Sequence, residues 1–116
     1  MALEATRQLN QLASRDGIRF IVLLIPTKEF VFSEQAEGVT SQNYHALVRN
    51  ELQFWQETKF FLEDHSILYI DALLPLQAEL ETGFPPYRIT SDGHPNKHGY
   101  RAIAGAINSY LAPDEQ

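Results

Sequence analysis

One stretch of this sequence decides its fold: Ile18-Arg19-Phe20-Ile21-Val22-Leu23-Leu24-Ile25-Pro26. The stretch is apolar at every position except Arg19 until the proline ends it, and it is rich in β-branched residues. A strand with one face in water would alternate between polar and apolar residues. The unbroken run therefore predicts a strand that is covered on both faces, as in a parallel sheet packed between helices.

Helical and strand patterns alternate on either side of this run. Apolar residues recur at helical spacing over 3–14, and Gly17 is placed to end that helix. Further along, the pattern predicts a long amphipathic helix over 44–65, a strand over 67–70, a brief helix over 73–81 and a final helix from Lys97, with loops over 27–43 and 82–95. The order helix–strand–helix–strand–helix–helix indicates one α/β domain, or part of one, over residues 1–116.

Two strands are too few for such a sheet, because a two-stranded unit is rarely stable by itself. Both predicted strands are apolar enough to be buried on both faces. We therefore expect their edges to be covered by further strands or by a second copy of the chain. Exposed sheet edges of this kind would also allow a homo-oligomer.

The composition of the chain narrows the kinds of molecule that it could bind. The net charge is −6 and the nine Lys and Arg residues are scattered, whereas nucleic acids and anionic lipids bind to basic stripes. No cysteine is present, which excludes disulfides, thiolate zinc sites and a cysteine nucleophile. The longest apolar run is far shorter than the ~20 residues that span a bilayer. We therefore expect no nucleic-acid partner and no membrane insertion by this chain.

The second loop carries a carboxylate and an imidazole two residues apart, Asp92 and His94. In extended backbone both side chains point to the same side, and Gly93 between them lets the chain bend until they touch. Pro95 stiffens the exit, and Asn96 is a natural N-cap for the helix that begins at Lys97. Loops beyond the carboxyl ends of parallel strands are where ligands bind in open α/β sheets.

Three interpretations of this pair are open. An ionised Asp92 would hold the His94 imidazole in one tautomer, so that its other nitrogen could take a proton from a hydroxyl nucleophile. Alternatively, Asp92 caps a turn and His94 packs at the helix entrance. As a third interpretation, Asp92, His94 and His98 are metal ligands, although Pro95 and Asn96 place His94 outside the helix that carries His98.

A longer string around the pair has a family likeness: Asp92-Gly93-His94-Pro95-Asn96-x-x-Gly99-Tyr100-x-x-Ile103-Ala104-x-x-Ile107. It resembles the last conserved block of the SGNH (GDSL-type) hydrolases and acyltransferases. The segment from Gly17 to Lys28 is similar to the helix–Gly–strand–Pro segment of SGNH-like proteins that act on cell-envelope carbohydrate, including the alginate O-acetyltransferase type. Residues 67–71 resemble the penultimate strand of the family.

The resemblance implies a fold, a site and an activity. The fold would be the C-terminal half of a three-layer, flavodoxin-like parallel sheet flanked by helices. In the family this block supplies the Asp and His of a serine triad, which here correspond to Asp92 and His94. The implied parent is a serine esterase or O-acyltransferase that acts on acylated carbohydrate or lipid esters, without cofactor or metal, in the bacterial periplasm or cell envelope. The Asp-x-His spacing of Asp92 and His94 resembles the spacing in the alginate-type enzymes. In the family as a whole, the commonest spacing of the pair is Asp-x-x-His.

The nucleophile of the family is missing from the sequence. Its Gly-Asp-Ser motif is absent, and none of the serines has a Gly-x-Ser-x-Gly setting. Ser33 lies on the other loop, from which it could in principle approach His94. We therefore expect the chain to be the C-terminal part of an SGNH domain, inactive alone. The alternative is a non-catalytic α/β binding or dimerisation module, a pseudoenzyme.

Overall fold

The computed structural model describes residues 3–33, 41–87 and 93–112. Within these ranges the chain is mixed α/β and mostly helical, with a small parallel sheet of two strands. The elements in chain order are α1 (Leu3–Arg15), β1 (Ile21–Leu24), α2 (Lys28–Val31), α3 (Gln42–Asp64), β2 (Leu68–Asp71), α4 (Leu73–Glu81) and α5 (Lys97–Leu111). The predicted order of the main elements is confirmed, and α2 is an addition to it.

The sheet is shorter than the apolar run predicts. Strands β1 and β2 pair in parallel from Ile21 opposite Leu68 to Leu24 opposite Asp71. Ile18 and Ile25, at the two ends of the run, lie outside the strand with 62% and 49% of their surface exposed. The pairing of β1 stops at Leu24 because β2, its partner in the described ranges, ends opposite at Asp71. An apolar run forms a strand only as far as a neighbouring strand can bond to it. The expectation of burial on both faces holds for Leu24 but only partly for the rest of β1.

Both strands are entered through the same helix C-terminal turn. After α1, Gly17 has a φ of +69°, its N–H donates to the Ser14 carbonyl, and the Ile18 N–H donates to the Ala13 carbonyl. After α3, Ser66 takes the same position with a φ of +55°. These paired bonds satisfy carbonyls that a helix end otherwise leaves open. The predicted stop at Gly17 is therefore confirmed, and Ser66 adopts a left-handed conformation that glycine adopts at lower cost.

Two hydrophobic clusters lie on opposite faces of the sheet. Successive strand residues point to opposite faces, and Val22 and Leu24 pack with Trp55 and Leu62 of α3, whereas Leu23 packs in the other cluster. The second cluster joins α2, α4, α5 and the segment before α5 through five buried residues: Val31, Ala72, Leu76, Tyr87 and Ile103. Helices thus cover both faces of the pair of strands, as the α/β interpretation requires.

The loop predicted over 27–43 contains a short helix, α2. Thr27 caps it by accepting a hydrogen bond from the Phe30 N–H, and Phe30 and Val31 are both buried. The apolar residues of this loop are therefore part of the core. A helix of four residues leaves no periodic pattern in the sequence, which is why its prediction as loop was wrong.

Helix α1 contributes no buried residue to the hydrophobic core of the described ranges. None of the residues of α1 is buried, and Leu9 and Leu12 on its apolar stripe are each more than half exposed. No helix among the described residues is long and apolar enough to cross a membrane.

Candidate functional site

The carboxyl ends of both strands are braced by carboxylates. Beyond β1, Glu51 of α3 accepts hydrogen bonds from the Thr27 N–H (2.9 Å) and from the Thr27 hydroxyl. At the end of β2, the Asp71 carboxylate accepts a hydrogen bond from the Leu73 N–H at 2.8 Å and pairs with Lys59 at 3.0 Å. The Asp71 carboxylate thus binds the N–H of the first residue of α4. These contacts order the rim of the sheet, where α/β proteins place their ligands.

The two rim loops meet at Tyr87. The buried Tyr87 hydroxyl donates to the Pro26 carbonyl at 3.2 Å, and its ring packs edge-on against Phe32, 6.3 Å away. Tyr87 also forms an isolated antiparallel bridge with Pro95. The segment that leads into α5 is thus attached to the end of β1, although 61 residues separate Tyr87 from Pro26 in sequence. Ser33, which follows Phe32, is half-buried.

Burial and nearby carboxylates raise the pKa of Tyr87 to about 12, with burial the larger cause, followed by Glu51 and Glu29. At neutral pH its hydroxyl is therefore a hydrogen-bond donor and not a base. Its proton is already donated to the Pro26 carbonyl, so Tyr87 acts here as a structural tie between the two loops.

The start of α5 is fixed by Asn96. Its side-chain oxygen accepts from the N–H groups of His98 (2.9 Å) and Gly99 (3.1 Å), while its amide nitrogen donates to the Pro85 carbonyl at 2.8 Å. Its backbone N–H donates to the Pro86 carbonyl at 2.9 Å. The predicted N-cap and the predicted helix start at Lys97 are both confirmed. One residue thus caps α5 and holds it to the preceding segment.

Gly99 allows this close approach. A Cβ built on it would lie 2.4 Å from the Pro86 carbonyl oxygen and 2.8 Å from the Pro95 Cβ. Gly99 is buried, so a side chain here has nowhere to go unless α5 moves away. The spacing between Asn96 and Gly99 is therefore explained by packing of the helix start against the Pro85–Pro86 segment.

His94 lies two residues before the cap and is exposed to solvent. The anchored neighbours Pro95 and Asn96 fix its backbone at the mouth of the rim. Asp92, the other member of the predicted pair, lies outside the described residues. The structure thus describes the position of one member of the predicted pair.

His98, the third candidate metal ligand, contacts α4 and the residues that follow it. Its ring stacks on Phe84 with centroids 4.9 Å apart, and its Nδ1 lies 3.9 Å from Glu79 of α4. This nitrogen is buried without a hydrogen-bond partner among the described residues. In the described ranges no three His, Asp or Glu side chains come close enough to bind a metal ion. His98 therefore connects α4 to α5, a contact that the sequence did not reveal.

An apolar groove of about 750 Å³ runs along β1 and α3. It is lined by Leu23, Leu24, Ile25, Thr27, Leu47, Asn50, Glu51, Phe54, Trp55 and Thr58. Trp55 and Thr58 are buried, and the Trp55 Nε1 and Thr58 hydroxyl have no hydrogen-bond partner in the described part of the chain. Two further aromatic side chains of α3, Phe54 and Phe60, are exposed, by 44% and 70%.

Comparison with family models, with curated proteins and with solved structures gives no match to this chain.

Proposed function

We propose that this chain provides the acid–base part of a serine esterase or O-acyltransferase, in which His94 is the general base and Asp92 its orienting carboxylate. The finer fold that belongs to this proposal is the C-terminal half of a three-layer, flavodoxin-like domain. The substrate class is an ester of carbohydrate or lipid, and the serine belongs to a part of the protein outside residues 1–116. The proposal needs neither cofactor nor metal.

The observation that carries the proposal is the exposed His94 on an anchored segment at the rim of the sheet. Catalytic bases must reach the proton that they abstract while their own position is held. His94 is exposed, and the following residues are tied by the Asn96 bonds to Pro85 and Pro86. If His94 only packed at the entrance of α5, we would expect its side chain to be buried, as the side chain of Tyr87 is.

In the proposed chemistry, His94 carries a proton from the serine hydroxyl to the leaving alcohol, and Asp92 orients His94 without taking the proton. Asp92 accepts a hydrogen bond from His94 Nδ1–H, which leaves Nε2 without a proton and able to take the hydrogen of a serine hydroxyl. The serine oxygen attacks the ester carbonyl, and the imidazolium then returns the proton to the leaving alcohol. Water or a sugar hydroxyl completes the cycle by the same route, which gives hydrolysis or acyl transfer.

The pair can be tested on the chain itself by NMR of the histidine ring nitrogens. The proposal expects neutral His94 to carry its proton on Nδ1, in a hydrogen bond that Asp92→Asn weakens or reverses. His98→Gln removes the neighbouring imidazole and is the matched control, which should leave the His94 signals in place. A His94 that is protonated mainly on Nε2, with signals unchanged by Asp92→Asn, would show that the two residues form no catalytic pair and would favour a pseudoenzyme.

Activity gives the second test. In the full natural polypeptide, Asp92→Asn should lower the rate of ester cleavage by a factor on the order of 10⁴, and His94→Ala should lower it at least as far, while His98→Gln retains it. The isolated 116-residue chain should show no ester hydrolysis, since its base has no nucleophile to activate. Hydrolysis by the isolated chain that His94→Ala abolishes would contradict the assignment of the serine to another part of the protein.

A further inference from the structure

Strand β2 has one edge that no strand of the described ranges covers. On its other side lies β1, and the Ala72 N–H, just past β2, donates to the Leu24 carbonyl at 3.0 Å. Because the N–H and C=O groups of successive strand residues point to alternate sides, those of Tyr69 and Asp71 point away from β1. A row of unpaired backbone groups of this kind is a template for pairing with a strand of another molecule.

The surroundings of this edge are apolar. The run Ile67-Leu68-Tyr69-Ile70 carries no charge, and Leu68 is 43% exposed. Phe60 of α3 and Leu74 of α4 line a cavity together with Asp71, and they are exposed by 70% and 69%. Uncharged apolar segments at a sheet edge are the ones that aggregate. This edge therefore favours association between molecules unless another feature blocks it.

A half-buried ion pair lies at the edge. The Lys59 ammonium on α3 is 3.0 Å from one oxygen of the Asp71 carboxylate, and the other oxygen accepts from the Leu73 N–H. The two side chains are 34% and 20% exposed, so this pair is more confined than the ion pairs of an open surface. Lys59 and Asp71 line a cavity on the α3 face of β2 and another on its α5 face. The pair therefore sits between the two faces, at the edge itself.

A second polar contact continues this arrangement one helical turn along α3. The Tyr69 hydroxyl donates to the Glu63 carboxylate, and Glu63 follows Lys59 by four residues, on the same side of the helix. This bond, with a smaller effect of burial, raises the pKa of Tyr69 to about 12, so the hydroxyl keeps its proton at neutral pH. Tyr69 and Asp71 are thus the residues of β2 whose backbone groups point outward and whose side chains bind polar groups of α3.

We propose that the Lys59–Asp71 ion pair blocks β2 against pairing with a strand of another molecule. A strand added at ~4.8 Å from β2 would have to displace the Lys59 side chain or cover both charges, and ions removed from water lose their hydration. Charged side chains, lysine above all, protect edge strands in this way. The block leaves β1 as the edge at which further strands of a three-layer domain can join, and it does not depend on catalysis by His94.

Removal of both charges tests the block while the cap of α4 is kept. In the double variant Lys59→Met, Asp71→Asn, an amide oxygen can still accept from the Leu73 N–H, and methionine retains an unbranched side chain. We expect this variant to self-associate at concentrations roughly ten-fold below those at which the wild-type chain first does. The matched control, Arg101→Met with Glu57→Gln, makes the same change of charge at exposed positions of α5 and α3 and should behave as the wild-type chain does.

Sedimentation velocity over a range of concentrations measures the association, and amide hydrogen exchange locates it. In the associated double variant, the amides at positions 69 and 71 should exchange more slowly than in its monomer. The Ile70 amide should be protected at every concentration, because it faces β1. If urea unfolding shows that the double variant does not fold, Lys59→Met alone takes its place. This single variant leaves the Asp71 cap intact and should associate more readily than the wild-type chain, though by a smaller factor.

Three results would overturn the block at β2. The first is a folded variant without the Lys59 charge that associates no more readily than the wild-type chain. The second is association that leaves the amides at positions 69 and 71 unprotected, since another surface then forms the contact. The third is equal association of the control with Arg101 and Glu57 substituted, which would assign the effect to net surface charge.

Discussion

Gly99→Ala is the substitution that most directly tests how the site segment is held. The added methyl group would meet two atoms that cannot rotate away, the Pro86 carbonyl oxygen at 2.4 Å and the Pro95 Cβ at 2.8 Å. Relief of these contacts requires α5 to move from the Pro85–Pro86 segment, which stretches the 2.9 Å bond between the Asn96 N–H and the Pro86 carbonyl. The φ of Gly99 is not positive, so the cost is steric and not a matter of backbone conformation.

The magnitude follows from three contributions. Overpacking against rigid neighbours costs about 3 kcal/mol at the upper end of the usual range, and loss of the Asn96–Pro86 bond costs about 1 kcal/mol. The higher helix propensity of alanine offsets at most about 1 kcal/mol of this loss of stability. We therefore expect the free energy of unfolding to fall by about 3 kcal/mol, which lowers Tm by roughly 12 °C in a domain of this size.

Gly105→Ala is the matched control, because Gly105 lies in the same helix and a Cβ built there has nothing within 4 Å. It should raise the free energy of unfolding by about 0.5–1 kcal/mol. Urea denaturation of both variants, followed by circular dichroism, measures the two values. If Gly99→Ala is as stable as the wild-type chain, or gains stability as Gly105→Ala does, the close packing of α5 on Pro86 is refuted.

Four further predictions concern stability. Asn96→Ala should lower the free energy of unfolding by about 1–2 kcal/mol through loss of the cap, whereas Asn96→Asp keeps the cap and should lower it by less in the same urea assay. Ser66→Gly should raise Tm, since glycine adopts the observed φ of +55° with up to about 1 kcal/mol less strain; an unchanged or lower Tm would contradict this. Thr58→Val removes a buried hydroxyl without a partner among the described residues and should be neutral or stabilising, because the hydroxyl loses its hydration for no bond; a loss above about 1 kcal/mol would reveal a partner. Burial raises the pKa of Tyr87 to about 12 from an unfolded value near 10, so the stability it supports is full below pH ~10 and lost as pH rises toward 12; Tyr87→Phe should flatten this decline in unfolding curves measured at alkaline pH.

The sequence by itself determined the elements whose causes are local. The period of apolar residues predicted α1, α3 and α4 to within two residues, and the start of α5, because one buried stripe recurs every three to four residues whatever the helix packs against. Gly17 and Asn96 were assigned as helix stop and helix cap because each acts on backbone groups within a few residues. The Asp92–His94 pairing remains a sequence prediction, since Asp92 lies outside the described residues.

Only the tertiary structure decided what distant segments do to one another. The strand β1 ends at Leu24 because β2 ends opposite it, although the apolar run continues to Ile25. Phe30 and Val31 are core residues because α4 and α3 close over them, and no local pattern records that packing. Tyr87 joins Pro26 across 61 residues, and Gly99 is required by a carbonyl at Pro86. Such contacts depend on where two elements meet in space, and the spacing of residues along one element carries no information about the other.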